Sequence, residues 1–440
     1  MRLDQYFLDP VLQAPTIGSM LMCLSSALIG VIVFLRKRSL LGEALCHATY
    51  PGVVLSAVIS SFFFSLSSDS MIFAILIGAF LTASLGLLMI GKLEGRFSVK
   101  GDTALCFVIA LFFGVGVLIA SRIQFTHVLW YKAVQLFLYG QAATMVDLHV
   151  MIYAVLAVLM VLILTLFFYP IRMVIFDKHF SKSMGVSSRL IEGLLSILLA
   201  LAIVIGIRSV GVVLMAGMLI APAVAARQLT HRLRLVFVYA ALIGAVSGFL
   251  GNYFSLEIPY WVGGGGKPTF SLPTGPMILL SSVTICTAAL LLAPQNGLLS
   301  RLLRIIRFKR RCQEENLLKY LWRTSEKIPY SILCRSQRVS FMRLFFLIRR
   351  LENQGWIEKK GKVIGLTKDG HLKAGRIVRL HRLWEAYLVF LGQGIEKVHR
   401  SAEEMEHILT PDLERQLSDL LGDPRKDPHA QPIPAKDETL

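Results

Sequence analysis

The sequence predicts a mainly α protein in two parts. A polytopic α-helical membrane domain of about nine spans comes first, and a cytoplasmic winged helix-turn-helix domain with a further helical domain follows. Three observations carry this reading. Hydrophobic residues make up 55% of the 440, with a mean hydropathy of +0.63, which belongs to the membrane class. Charge is segregated: residues 301–440 hold 28 Lys and Arg and 18 Asp and Glu, leaving 18 and 10 for the first 300. The long apolar runs stop near residue 293, and shorter amphipathic periods take over. The boundaries read as 1–298 for the membrane domain, 299–313 for a basic juxtamembrane linker, 314–370 for the winged helix and 371–440 for the last domain.

Apolar runs of roughly 17–21 residues, the length a bilayer core demands, fall at about 16–35, 46–65, 71–91, 103–121, 150–169, 190–207, 209–226, 235–251 and 275–293. The stretch Gln135 to Ala143 reads as a re-entrant or broken piece and leaves the count open by one. Basic loops follow the first, third, fifth, seventh and ninth runs, so all lie on one side if the N-terminus is outside and the C-terminal domain is cytoplasmic. Met1 to Pro15 lacks the basic start and early apolar run of a cleavable signal, so the first run is a retained span. Six cysteines without CxxC spacing argue against a disulfide framework and a zinc ribbon. Gly263-Gly264-Gly265-Gly266-Lys267 resembles a phosphate loop, but Pro268 stands where Ser or Thr is required. The chain is therefore expected not to hydrolyse ATP itself.

Three stretches of the membrane part are not ordinary spans. Glu43 and His47 sit one helical turn apart at the start of the second span. Ionisable groups at that depth line a cavity or ion path, or form an interfacial pair bonded to a neighbouring helix. Asp177 to Gly185 is a short amphipathic segment on the cytoplasmic side, suited to docking a partner or to lying solvated. Ser209 to Arg227 is rich in small residues around Pro222, which permits close helix contact and a kink. In this order and spacing, residues 8–295 resemble the permease subunits of bacterial manganese/zinc/iron ABC importers. The family's first stretch reads Gly-Asp-Ala-x-x-His-Ala-x-x-Pro-Gly; here Glu43 replaces the aspartate, while His47, Pro51 and Gly52 match. The resemblance implies a metal path at Glu43 and His47, and an ATPase contact at Asp177, Phe180 and Gly185. It also implies a separate ABC ATPase, an extracytoplasmic metal-binding protein, a second permease subunit and the bacterial inner membrane as location.

In the soluble part, Arg301 to Arg311 is a basic amphipathic run suited to anionic membrane lipid, or to DNA. Helical patterns follow at about Glu314–Thr324, Tyr330–Ser336 and Ser340–Gln354. A hairpin over Trp356–Leu366 turns at Gly361. Helix, helix, basic helix and hairpin is the winged-helix order, which places the third helix in the DNA major groove. Arg338, Ser340, Arg343 and Arg349 are the candidate DNA-binding residues. Phe341, Phe345 and Phe346 on that helix read no base edge; some are expected in the core, and a protein-interaction module stays open.

Further on, His399, Glu403, Glu406 and His407 fall at i, i+4, i+7 and i+8, one face of a helix. His381 and Glu385 repeat the i, i+4 spacing, so two packed helices bring six ligand-type side chains together. A solvated charged face is the alternative. Residues 314–434 resemble the DNA-binding and dimerisation domains of the diphtheria toxin repressor family. The resemblance rests on Leu366-Thr367 with Gly370, His381-Arg382-Leu383-Trp384-Glu385, Val398-His399, Glu406-His407 and Pro432-Ile433-Pro434. It implies that His381, Glu385, His399, Glu403, Glu406 and His407 are metal ligands, with Asn316 at the place of a first-helix ligand. It also implies a homodimer and operator DNA as partners. Oxygen and nitrogen donors favour Mn or Fe, with Zn still compatible.

The combined expectation is a divalent-metal permease fused to a metal-dependent repressor, released by cleavage at the linker. Two rivals remain: a metal-sensing gate that throttles transport without touching DNA, and a secondary transporter that needs no ATPase.

Overall fold

The computed structural model describes the chain except residues 1–3, 64–68, 127–133, 136, 139, 141, 264–269, 295, 325–327, 330–331, 334–339, 362, 409 and 436–440. It divides into two compact units, Met1–Ser300 and Arg301–Leu440.

In the first unit α1 (Gln5–Leu8) precedes α2 (Pro10–Leu35), α3 (Ser39–Phe63), α4 (Asp69–Gly95), α5 (Gly101–Thr126) and α6 (Asp147–Leu166). Two short helices, α7 (Phe168–Phe176) and α8 (Lys178–Ser183), lead to α9 (Ser188–Val210), α10 (Val212–Leu229), α11 (Leu233–Val262) and α12 (Thr274–Leu292). Among the described residues eight helices are long and apolar enough to cross a membrane. The remaining long helix, α3, is the one that carries Glu43 and His47. Its first half is polar for a span, with Glu43, His47 and Pro51 inside it.

α2 is the centre of this unit: 72% of its most apolar stretch is buried, against 28% for α4 and for α11. Burial on all sides explains why α2 shows no polar face, since a helix apolar all round has only core to face. It packs on α6, α10 and α11. Small residues permit that proximity; a Cβ on Gly30 would lie 1.8 Å from the Leu219 carbonyl oxygen of α10. Six of the nine residues of Gln135–Ala143 are described: Phe137 and Ala142 are buried, Gly140 has a positive φ and a 3-10 turn runs Ala142–Thr144. The piece is therefore broken and is not a further apolar span. Residues 264–268 of the glycine loop lie outside the described residues.

The second unit begins on α13 (Leu298–Thr324), followed by β1 (Ile328–Pro329), α14 (Phe341–Asn353), β2 (Ile357–Lys360) and β3 (Val363–Leu366). The sheet order is β1-β3-β2, antiparallel throughout, with Ile357 opposite Leu366 and Ile328 opposite Ile364. Then come α15 (Lys368–Phe390), α16 (Ile395–Met405) and α17 (Pro411–Leu420). Leu317, Leu318, Leu321, Leu344, Ile348, Leu351, Ile357 and Ile364 form the core beneath the hairpin.

One expectation is sharpened and one changes here. The basic stretch 299–313 is helical, part of one helix that runs from Leu298 to Thr324. Its Leu, Arg, Lys and Glu favour helix, and it holds neither Gly nor Pro to stop one. None of Phe341, Phe345 and Phe346 enters the core; they are 67%, 39% and 58% exposed. Leu344, Leu347, Ile348 and Leu351 fill the buried stripe at helical spacing, leaving the phenylalanines on the other faces.

Candidate metal centre

α15 starts where Thr367 accepts a hydrogen bond from the Gly370 N–H at 3.0 Å, an N-cap of the usual kind. Gly370 is required by proximity, since a Cβ there would lie 1.9 Å from the Trp356 carbonyl oxygen. That start fixes the phase of the helix and turns His381 and Glu385 inward, 1% and 2% exposed. α16 packs against α15 and brings His399 to them. His399 Nδ1 lies 2.7 Å from Glu385 Oε1, and His381 Nε2 lies 3.2 Å from the same oxygen. The ligand-type atoms of His381, Glu385 and His399 all fall within 4.8 Å of one another.

The tail forms a second flank. Asp427 Oδ1 accepts from the backbone N–H groups of His429 and Gln431 at 2.9 and 2.7 Å, folding the loop about itself. Arg379 donates to the Pro434 carbonyl at 2.8 Å, and Arg382 donates to that of Pro432, clamping the loop on α15. Glu385, Asp427 and His429 thereby form another compact group of ligand-type atoms.

The other expected residues gather beside the first group. Glu406 ends α16 with its side chain fully buried; Oε2 meets His381 Nδ1 at 2.5 Å and Oε1 accepts from Lys319 Nζ at 2.7 Å. His407 Nδ1 lies 2.6 Å from Glu315 Oε2, which leaves Nε2 buried without a hydrogen-bond partner among the described residues, 3.6 Å from Glu406 Oε1. Glu403 is exposed, with Oε1 3.8 Å from His399 Nε2 and 3.9 Å from Lys319 Nζ. Of the six expected side chains, His381, Glu385 and His399 therefore form a compact group that Glu406 adjoins through His381. Glu403, Glu406 and His407 do not close into a second one; Lys319 Nζ lies against both carboxylates instead. Asn316 is half-buried one residue from Glu315, and Glu315 rather than Asn316 reaches His407.

Electrostatics follow from burial opposed by pairing. Burial pushes Glu385 up, but hydrogen bonds from His381 and His399 outweigh it and hold the carboxyl at about 2. Glu406 and Glu315 are lowered by the same contest, with His381 and Lys319 acting on the first and His407 and Arg311 on the second. Burial lowers His381, and Glu385 and Glu406 overcome this to raise it.

Glu315, Lys319, Asp427 and His429 were not singled out from sequence. Glu315 and Lys319 lie on a helix far away in the chain, and the Asp427-Pro428-His429 run was visible without a spacing to tie it to Glu385.

The other candidates are placed as follows. His47 is half-buried on α3 with its ring 4.8 Å from that of Phe113, and its Nδ1 is buried without a hydrogen bond among the described residues. Glu43 lies one turn away, partly exposed. Asp177 caps α8 by accepting from the N–H groups of His179 and Phe180, both at 2.9 Å; Phe180 is 51% exposed and Gly185 ends the turn. Ser340 stands at the N-cap of α14, Arg343 and Arg349 are exposed on it, and Arg338 lies outside the described residues, as does most of the helix expected at 330–336.

Fold and site together define a polytopic membrane protein with a water-facing domain built around a histidine–glutamate centre. Residues 8–293 match the model of the ABC 3 transport family, and residues 367–435 match that of the iron dependent repressor, metal binding and dimerisation domain. The chain belongs to the ABC 3 transport family and carries a C-terminal repressor domain. It is 34% identical to the "Probable metal transport system membrane protein" of Chlamydia trachomatis serovar D, over 98% of this chain and 97% of that one. It is 31% identical to the manganese transport system membrane protein MntC of Bacillus subtilis over 84% and 82% of the two chains. Against the zinc transport system membrane protein TroC of Treponema pallidum it is 34% identical over 69% and 95%. These relatives are membrane subunits, consistent with a chain that is not itself the ATPase.

Proposed function

We propose that this chain is the membrane subunit of a divalent-metal ABC importer whose C-terminal domain senses the imported metal and represses uptake genes. A separate ATPase docks at Asp177, Phe180 and Gly185. An extracytoplasmic binding protein delivers metal, Glu43 and His47 line its path, and a second permease subunit completes the pore. The N-terminus faces outward and the repressor domain faces the cytoplasm.

The observation that carries the sensor is the buried Nε2 of His407, which has no hydrogen bond among the described residues and lies 3.6 Å from Glu406 Oε1. Glu315 holds the opposite ring nitrogen, an orientation that leaves Nε2 free to bind a cation. The donor set fits a divalent ion: Glu403, Glu406 and His407 on one side, and His381, Glu385 and His399 on the other, with Asp427 and His429 flanking. All are oxygen or nitrogen donors, which favours Mn or Fe and still admits Zn. Bound metal would draw α16 onto α13 and α15, order a dimer, and set Ser340, Arg343 and Arg349 against operator DNA.

The test is a gel shift of the chain's upstream promoter DNA with residues 301–440. Retardation is expected with Mn(II) and not with chelator; no metal-dependent shift at low salt removes the repressor reading. Release from the membrane predicts a fragment of that size in cell blots, and full-length protein alone argues against it.

The exposed Phe341, Phe345 and Phe346 favour a second reading, in which the domain is a gate acting on transport directly. Arg343→Gln with Arg349→Gln separates the two. Lost repression with normal uptake supports the repressor, and altered uptake supports the gate.

A further inference from the structure

Beside Glu403 and Glu406 the domain already holds a positive charge. Lys319 projects from α13 with its side chain only 7% exposed. Its Nζ is 2.7 Å from Glu406 Oε1 and 3.9 Å from Glu403 Oε1. His407 Nε2, without a hydrogen bond among the described residues, lies 3.6 Å from that same Glu406 oxygen. An ammonium group therefore sits against the two carboxylates, Glu406 and Glu403, that the sensor reading assigns to metal.

We infer that Lys319 is a resident cation of the sensor site, which competes with the divalent ion for Glu406 and Glu403 and so sets the concentration at which metal binds. A fully buried carboxylate is costly without a countercharge, and a tethered ammonium supplies one whenever metal is scarce. Being part of the chain, the competitor has a fixed, high local concentration that dilution or export cannot lower. Lysine suits exchange better than arginine would: it is a compact point charge on a flexible stem, without the planar fork that locks onto a carboxylate. Metal entry requires the ammonium to leave Glu406, and binding is weakened by the cost of that step. The same residue keeps the metal-free site folded and keeps it from answering to trace metal.

This inference rests on Glu403, Glu406 and His407 being a metal site, and one experiment keeps the two apart. The full chain in detergent carries His399→Ala, which removes an exposed ligand of the adjoining set. Mn(II) affinity is measured by equilibrium dialysis, and thermal unfolding is followed with chelator and with saturating Mn(II). Adding Lys319→Met, which keeps the stem and removes the charge, is expected to tighten Mn(II) binding at least tenfold. It is also expected to lower the unfolding temperature in chelator and to enlarge the rise on adding metal. Lys319→Arg is expected to bind no tighter than the parent. The inference is overturned if folded Lys319→Met binds Mn(II) equally or more weakly. It is also overturned if that variant loses the same stability with and without metal, since a merely structural lysine would behave so. The site reading itself fails, whatever Lys319 does, if His407→Ala leaves Mn(II) affinity unchanged.

Discussion

Glu406 has no exposed side-chain surface, and its two oxygens are held by different bases, His381 on one and Lys319 on the other. Such residues make the metal-free domain sensitive to pH. Glu385 is held at about 2 from an ordinary 4.5, so its pairing stabilises the fold above 4.5 and is lost as pH falls toward 2. His381 is raised from 6.5, so its contribution is complete below 6.5 and is lost as pH rises through the folded value. Both are present together between 4.5 and 6.5. Calorimetry in chelator is expected to show the domain's unfolding temperature highest in that window, and a steady rise to pH 8 would contradict it. Metal should reverse the alkaline loss, because a neutral His381 is a ligand. At this scale the sequence was informative only within elements. The i, i+4 spacings marked His381, Glu385, His399 and Glu403, since helical geometry makes such residues neighbours. Glu315 and Lys319 reach the centre from 92 and 87 residues away, and no local period encodes that.

The third helix of the winged domain separates two jobs on its two sides. Leu344, fully buried, anchors it; Leu344→Ala is expected to cost about 2–5 kcal/mol, read as a shift in denaturant midpoint. Arg343→Gln, on the exposed side, should leave stability unchanged. If that arginine meets a DNA phosphate, it should lower the salt slope of DNA binding by about 0.9. A slope unchanged in folded protein would move Arg343 off the DNA face. Helix and hairpin order were legible from periodicity and from the Gly361 turn. Strand β1 was not, because two residues carry no period and exist as a strand only through pairing with β3. The three phenylalanines stay exposed because a residue's type says what it prefers, while the phase set by Leu344, Leu347, Ile348 and Leu351 decides where it points.

The molecule as a whole joins a unit whose solvent is lipid to one whose solvent is water, and each has its own core. Removing metal with chelator should therefore shift one of two thermal transitions, that of residues 301–440, and leave the membrane unit's transition in place. A common shift of both would contradict separate cores. The division was readable in composition, because bilayer spans and charge segregation are statements about solvent that need no coordinates. What lies between them was not, since a basic run followed by an amphipathic period looks like linker and helix until one helix is seen to contain both. That continuity bears on how a free repressor could arise. The peptide bonds from Arg301 to Cys312 lie within the rungs of α13, a 27-residue helix without Gly or Pro. A protease reaches them only in the fraction of molecules whose helix has opened there, so cutting tracks that population. The arginines crowding this segment repel one another, and salt or anionic lipid relieves the repulsion. The rate of release would then be governed by ionic surroundings, through helix fraying, before any protease specificity applies.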